Sequence, residues 1–192
     1  MAMDWDWDQS QQLFGLLSCL LKYPDREWFA RLDELSEDAQ WLQDDDARRI
    51  VPAFIEQAAS TNELAWQDRY VRTFDFGRKS NLYLTYGQHG EERERSKALL
   101  ELKRLYAEAG FELTSSELPD YLPLMLEFAS HAGVQHSAAV IGKYREALSA
   151  IHEELNGRQD PYSSLFELLL VRVRMLAEVF ESGQQLARSG TE

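Results

Sequence analysis

Apolar residues return every three or four positions along almost the whole chain, and this spacing leaves little room for anything but helices. A period of 3.6 gathers residues i, i+3, i+4 and i+7 on one face of a helix, whereas a half-buried strand needs strict alternation. Leu13, Leu16, Leu17, Leu20 and Leu21 trace such a face and predict a first helix from about Ser10 to Lys22. Pro24 stops it, and Asp25 is placed to cap a second helix carrying Trp28, Phe29, Leu32 and Leu35. The run Asp44-Asp45-Asp46 suits the first turn of a third helix, where carboxylates face the positive end of the macrodipole. Three adjacent helical residues point in different directions, so the run reads as capping rather than as a metal site. Ser60 and Glu63 have capping-box spacing for a fourth helix with Leu64, Tyr70, Val71 and Phe74.

Asp75 to Ser80 reads as a loop or helix break, and the short aromatic stretch Leu82 to Tyr86 has no clear assignment. Glu91 to Ala109 is amphipathic, with Ala98, Leu99, Leu102, Leu105 and Tyr106 inward and Gly110 just past its end. Glu117 to Pro123 is a proline-punctuated helix start leading into Leu124 to His131. Gln135 to Leu155 is expected to be one long helix closed by Asn156-Gly157. Asp160 then caps a helix with Pro161 at its first position. From Leu165 to Phe180 its apolar residues cover nearly the whole circumference, so it is expected to thread the bundle. The reading is all-α: a single-domain helical bundle over residues 1–188 with an apolar central C-terminal helix, and a disordered tail at 189–192.

Apolar residues make up 44% of the chain and charged ones 28%, with only ten glycines and five prolines, which argues against a turn-rich sandwich or long disordered tracts. Twenty Lys and Arg against 33 Asp and Glu give a formal charge of −13. No basic group stands free of acids or apolar helix, so nucleic acid is not an expected partner, while a basic partner would be steered in. Cys19 is the one cysteine and sits in an apolar run, which reads as a buried, inert thiol. No basic region precedes that run as in a secretory signal, and no stretch is apolar enough to span a bilayer. The chain is therefore expected to be cytoplasmic, without direct membrane insertion.

Nothing in the sequence spells catalysis. His89, His131, His136 and His152 form no H-E-x-x-H or E-x-x-H set, and Glu127 with His131 supplies too few ligands for a metal. Asp75-Phe76-Gly77 spells a kinase triplet without its Gly-rich loop, strand lysine or catalytic loop. No catalytic residue, metal or cofactor is expected.

Two segments carry more than helix packing asks for. One is Tyr70-Val71-Arg72-Thr73-Phe74-Asp75-Phe76-Gly77, continuing through Leu82-Tyr83-Leu84-Thr85-Tyr86-Gly87-Gln88-His89-Gly90 into Arg93 and Arg95. The other is Glu117-Leu118-Pro119-Asp120-Tyr121-Leu122-Pro123. Together they closely resemble the nitrate reductase molybdenum-cofactor assembly chaperones (the delta subunit, NarJ type), within the wider group of TorD and DmsD redox-enzyme maturation chaperones. In the trimethylamine-oxide and dimethyl-sulfoxide branches the second motif usually ends in Asp-His; Tyr121 after Asp120 favours the nitrate reductase branch. The resemblance implies an all-α fold and a cytoplasmic, non-enzymatic role. Such chaperones hold the N-terminus of the nitrate reductase catalytic (alpha) subunit before membrane docking and keep it open to molybdenum cofactor. Molybdenum cofactor biosynthesis proteins are further expected partners.

An amphipathic target helix lays its apolar face in a groove between helices. Tyr70, Phe74, Phe76, Leu82, Tyr83 and Tyr86 are candidates to line one, with Pro119, Asp120, Tyr121 and Pro123 as its rigid corner. Asp75, Arg78, His89, Arg93 and Glu117 are candidates to brace the loop; Arg95 reads as solvated, and Asp120 can act simply as a cap. The rival readings are a helical scaffold or regulatory subunit that stays in its complex, a chaperone that itself carries the molybdenum cofactor or a guanine nucleotide, and a helical metalloenzyme.

Overall fold

The computed structural model describes residues 6–77, 79–86, 92–114 and 116–189. Arg78 and His89, both expected to brace the loop, lie outside the described residues. The fold is all-α. Its helices are α1 (Trp7–Leu20), α2 (Arg26–Ala30), α3 (Leu32–Ala39), α4 (Asp45–Ala59), α5 (Glu63–Tyr70), α6 (Glu92–Glu108), α7 (Leu122–Ala129), α8 (Val134–Ile141), α9 (Arg145–Gly157) and α10 (Tyr162–Ser189). A π-helical turn (Val71–Asp75) extends α5, and a 3-10 turn (Gly142–Tyr144) separates α8 from α9. Among the described residues the one β pairing is an isolated antiparallel bridge between Tyr83 and Tyr121.

The helix starts follow side-chain chemistry. Asp6, Asp25 and Asp44 each accept the amide three residues on, from Gln9, Trp28 and Ala47. The aspartate run therefore opens α4, with Asp45 and Asp46 paired to Arg48 and Arg49. Asp6 starts α1 earlier than the leucine face alone suggested. The second helix is broken at Arg31 into α2 and α3. The expected capping box at Ser60 is corrected: Ser60 ends α4, and Asn62 accepts the Ala65 amide to open α5. Leu64, taken for an inward position, is exposed.

The stretch from Gln135 to Leu155 is not one helix. At Gly142 the chain runs against the backbone of α10, where an added Cβ would sit 3.1 Å from the Leu176 carbonyl. This close crossing coincides with the 3-10 turn. The end of α9 also differs. Gln159, not Gly157, takes the left-handed conformation at φ 52°, while its amide bonds the Asn156 carbonyl and the Asp160 amide bonds that of Leu155.

Helix α10 packs against α1, α4, α8, α9 and the 3-10 turn. Leu165, Phe166, Leu169, Val173 and Leu176 are fully buried, and Tyr162 is ringed by Phe54, Trp66, Tyr70 and Phe74 at centroid distances of 4.9–5.9 Å. Its circumference is not apolar throughout: Glu167, Val171, Arg174 and Glu178 form a solvent stripe. Arg172 reaches across to Asp44 at 2.6 Å, tying α10 to the cap of α4. Among the described residues no helix is long and apolar enough to cross a membrane.

Candidate functional site

The two motif segments meet. The amide of Leu84 donates to the Asp120 carbonyl at 3.1 Å, and that of Leu122 donates to the Leu82 carbonyl at 2.8 Å. These bonds set Tyr83 beside Tyr121, with ring centroids 5.2 Å apart. The Asp120 side chain is fully buried, and its Oδ2 accepts both the Thr85 amide (3.1 Å) and the Thr85 hydroxyl (2.6 Å). Arg95 Nε donates to the same hydroxyl at 3.2 Å, and its guanidinium lies over the Tyr86 ring at 5.6 Å.

The first segment is held from below. The Ser80 hydroxyl donates to the Thr73 carbonyl, and the Thr73 hydroxyl donates to Asp160 at 2.8 Å. A Cβ at Gly77 would overlap both the Ser80 hydroxyl and the Thr73 carbonyl, so only glycine fits the bend between them. The second segment is anchored through its prolines. Tyr106 donates to the Pro119 carbonyl and Ser18 to the Pro123 carbonyl, both at 2.8 Å.

Between the segments lies a cleft of about 180 Å³, walled by Tyr23, Tyr70, Phe74, Leu82, Tyr83 and Tyr121, with Asn81, Asp75 and Glu117 completing its lining. Its volume suits one long side chain, not a whole helix. Tyr70 donates to the Leu21 carbonyl at 3.0 Å and its oxygen lies 3.4 Å from that of Tyr121; Tyr83 donates to Glu117. Burial, and then neighbouring phenols and carboxylates, push the Tyr70 and Tyr83 hydroxyls well above their ordinary range, so both stay neutral donors. Burial likewise pushes the Asp75 carboxyl up. Among the described residues no basic side chain lines the cleft. Two carboxylates among aromatic faces make a receptor for a cationic group.

Residues 40–167 match the family described as nitrate reductase delta subunit. The chain belongs to the nitrate reductase delta subunit family. It is 42% identical over 160 residues to a Bacillus subtilis (strain 168) protein named as a probable nitrate reductase molybdenum cofactor assembly chaperone NarJ, covering 83% of this chain and 87% of that protein. It is 32% identical over 158 residues to the Escherichia coli (strain K12) nitrate reductase molybdenum cofactor assembly chaperone NarJ, covering 81% of this chain and 66% of that one. It is also 31% identical, over 83% of its length, to the Escherichia coli (strain K12) protein named as a probable nitrate reductase molybdenum cofactor assembly chaperone NarW. Both cleft segments fall inside the delta-subunit match, whereas Tyr23 on the cleft wall precedes it.

Of the residues singled out from sequence, Tyr70, Phe74, Leu82, Tyr83 and Tyr121 line the cleft together with Asp75 and Glu117. Phe76 and Tyr86 are 78% and 57% exposed and do not line it, although Phe76 directly follows Asp75. Pro119, Asp120 and Pro123 are buried and shape the corner without lining it. Arg93 is exposed, and Arg95, read as solvated, supplies the brace instead. Asp120 does not cap α7, whose N-cap is Tyr121 without a side-chain bond. Sequence reasoning missed Tyr23, Asn81, Thr85 and Gly77. Gly77, Asn81 and Thr85 all lie in the first motif segment, but only Gly77, a glycine at an expected helix break, carried a signal in its residue type. Among the described residues no group of three or more His, Cys, Asp or Glu is placed to hold a metal ion.

Proposed function

We propose that this protein is a cytoplasmic assembly chaperone for a nitrate reductase. It holds the N-terminal segment of the catalytic subunit while molybdenum cofactor is inserted and before the enzyme docks at the membrane, and it catalyses no reaction of its own. The reading rests on family membership and on one observation, the acidic, tyrosine-walled cleft closed by the two motif segments. A basic side chain of the client fits there: the Tyr83 and Tyr121 rings offer faces, and Asp75 and Glu117 offer charge. The peptide beyond it runs over exposed Phe76 and Tyr86. Among the described lining residues an anionic cofactor would meet two carboxyls and no cation, which disfavours direct carriage of the molybdenum cofactor there.

The test is calorimetric titration with a synthetic peptide of the cognate catalytic subunit's N-terminus at two salt concentrations. Binding with a negative heat-capacity change is expected, weakened by added salt and about tenfold by Tyr83→Ala or Glu117→Gln. Absence of binding at either salt would remove N-terminal capture, and copurification with mature, membrane-bound reductase would favour a resident scaffold instead.

A further inference from the structure

Val71–Asp75 is the only π-helical turn among the described residues, and such turns are rare and concentrate at functional sites. The Phe76 amide reaches the Val71 carbonyl at 3.1 Å, so the turn holds one residue more than an α-helical one. The extra residue decides where Asp75 points. In a regular α-helix a residue five places on stands about 140° round the axis, so Asp75 would face away from Tyr70. The wider turn brings it back, and Tyr70, Phe74 and Asp75 line the cleft together.

Thr73 sits in the middle of this turn and is buried. A helical threonine commonly returns its hydroxyl to a carbonyl three or four residues back. Here the hydroxyl donates instead to Asp160 Oδ2 at 2.8 Å, from just before α10. Asp160 is itself held in place: its Oδ1 accepts the Tyr162 amide at 3.0 Å, and its carbonyl accepts the Ser163 amide at 2.9 Å. The Tyr162 ring packs on Phe74 at 4.9 Å, so the start of α10 backs the turn through a charge-assisted bond and an aromatic contact. We propose that Asp160, acting through Thr73, holds this turn in its π register and so keeps Asp75 on the cleft wall. Neither residue lines the cleft. Both are positioning residues for the client's basic group, a role that rests on the capture proposed above. A tether serving stability alone would hold the segment wherever Asp75 pointed.

The test reads Asp75 directly, by carbon-13 NMR titration of its carboxyl, assigned with Asp75→Asn. The other titratable groups on the cleft wall are Glu117 and the phenols of Tyr23, Tyr70, Tyr83 and Tyr121. In the wild-type protein burial holds the Asp75 carboxyl above its ordinary 3.8. Thr73→Val keeps the shape of the side chain and removes the donor. It is expected to return Asp75 toward 3.8 and to raise the Kd of the synthetic client peptide about tenfold, while Thr73→Ser restores both. Asp160→Ser keeps a cap for the Tyr162 amide but is too short to reach Thr73, and is expected to act as Thr73→Val does. Gly142→Ala loosens the crossing at Leu176, about 20 Å along α10 from Tyr162, and is expected to change neither reading. An Asp75 carboxyl unmoved in Thr73→Val and Asp160→Ser, or moved equally in Gly142→Ala, would overturn the assignment. A wild-type protein that does not bind the peptide would remove client capture instead, and the carboxyl titration would still decide whether Thr73 places Asp75.

Discussion

Asp120 gives its two carboxylate oxygens unequal work. Oδ2 takes both the amide and the hydroxyl of Thr85, while Oδ1, also buried, meets no hydrogen-bond partner among the described residues. Asp120→Ala would strand the Thr85 amide inside the fold, and stability measured by urea unfolding is expected to fall by about 3 kcal/mol. Thr85→Ser keeps both bonds and should cost less than about 1 kcal/mol. Two other carboxyls set opposing pH trends. Burial raises the pKa of Asp44, but the Ala47 amide and Arg172 outweigh it and hold the carboxyl below its ordinary 3.8. Its stabilisation is therefore complete above 3.8 and lost as pH falls through the depressed folded value. Asp75, raised by burial, runs the other way: its contribution is complete below 3.8 and lost as pH rises through the raised value. Unfolding midpoints across an acid titration should show Asp44→Asn flattening the loss at low pH, and Asp75→Asn gaining stability at neutral pH. The importance of Asp120 was legible in its motif, but its role was not. A cap and a clamp both call for a short carboxylate, and only tertiary structure decides which amide comes within reach.

The α6 terminus shows what local chemistry can disclose. Gly110 was expected just past the helix and sits there at φ 81°, with the Phe111 amide on the Tyr106 carbonyl and the Gly110 amide on that of Ala107. The end of α9 shows the limit, since a non-glycine residue holds the same conformation at Gln159 and nothing in its type announces it. Gln159→Gly is expected to raise stability by about 1 kcal/mol, read from thermal or denaturant unfolding. The interruption between α8 and α9 was illegible for a related reason. Its apolar period continues unbroken, and the cause lies in another helix, where the Leu176 backbone leaves no room beside Gly142. Gly142→Ala should cost about 1–3 kcal/mol by overpacking that crossing. The pairing of residues 82–84 with 120–122 was equally hidden, being too short to carry any periodicity.

Across the whole molecule, a net charge of −13 agrees in sign with the two carboxyls of the cleft, Asp75 and Glu117, and both complement the basic client segment proposed above. The cleft suits a single side chain, and Tyr23, soon after the end of α1, brings the first helix's exit onto its wall. The Tyr83–Tyr121 bridge has a consequence for time as well as shape. It closes a loop that holds all of α6, so its formation must await that helix and bears the entropy of loop closure, whereas each helix forms from neighbouring residues. In folding, the cleft is thus expected among the last features to appear. Truncating Tyr83 or Tyr121 should accelerate unfolding and leave the folding rate nearly unchanged in stopped-flow chevrons. On the function proposed above, client capture at that cleft would have to wait until the chaperone's own chain has finished folding.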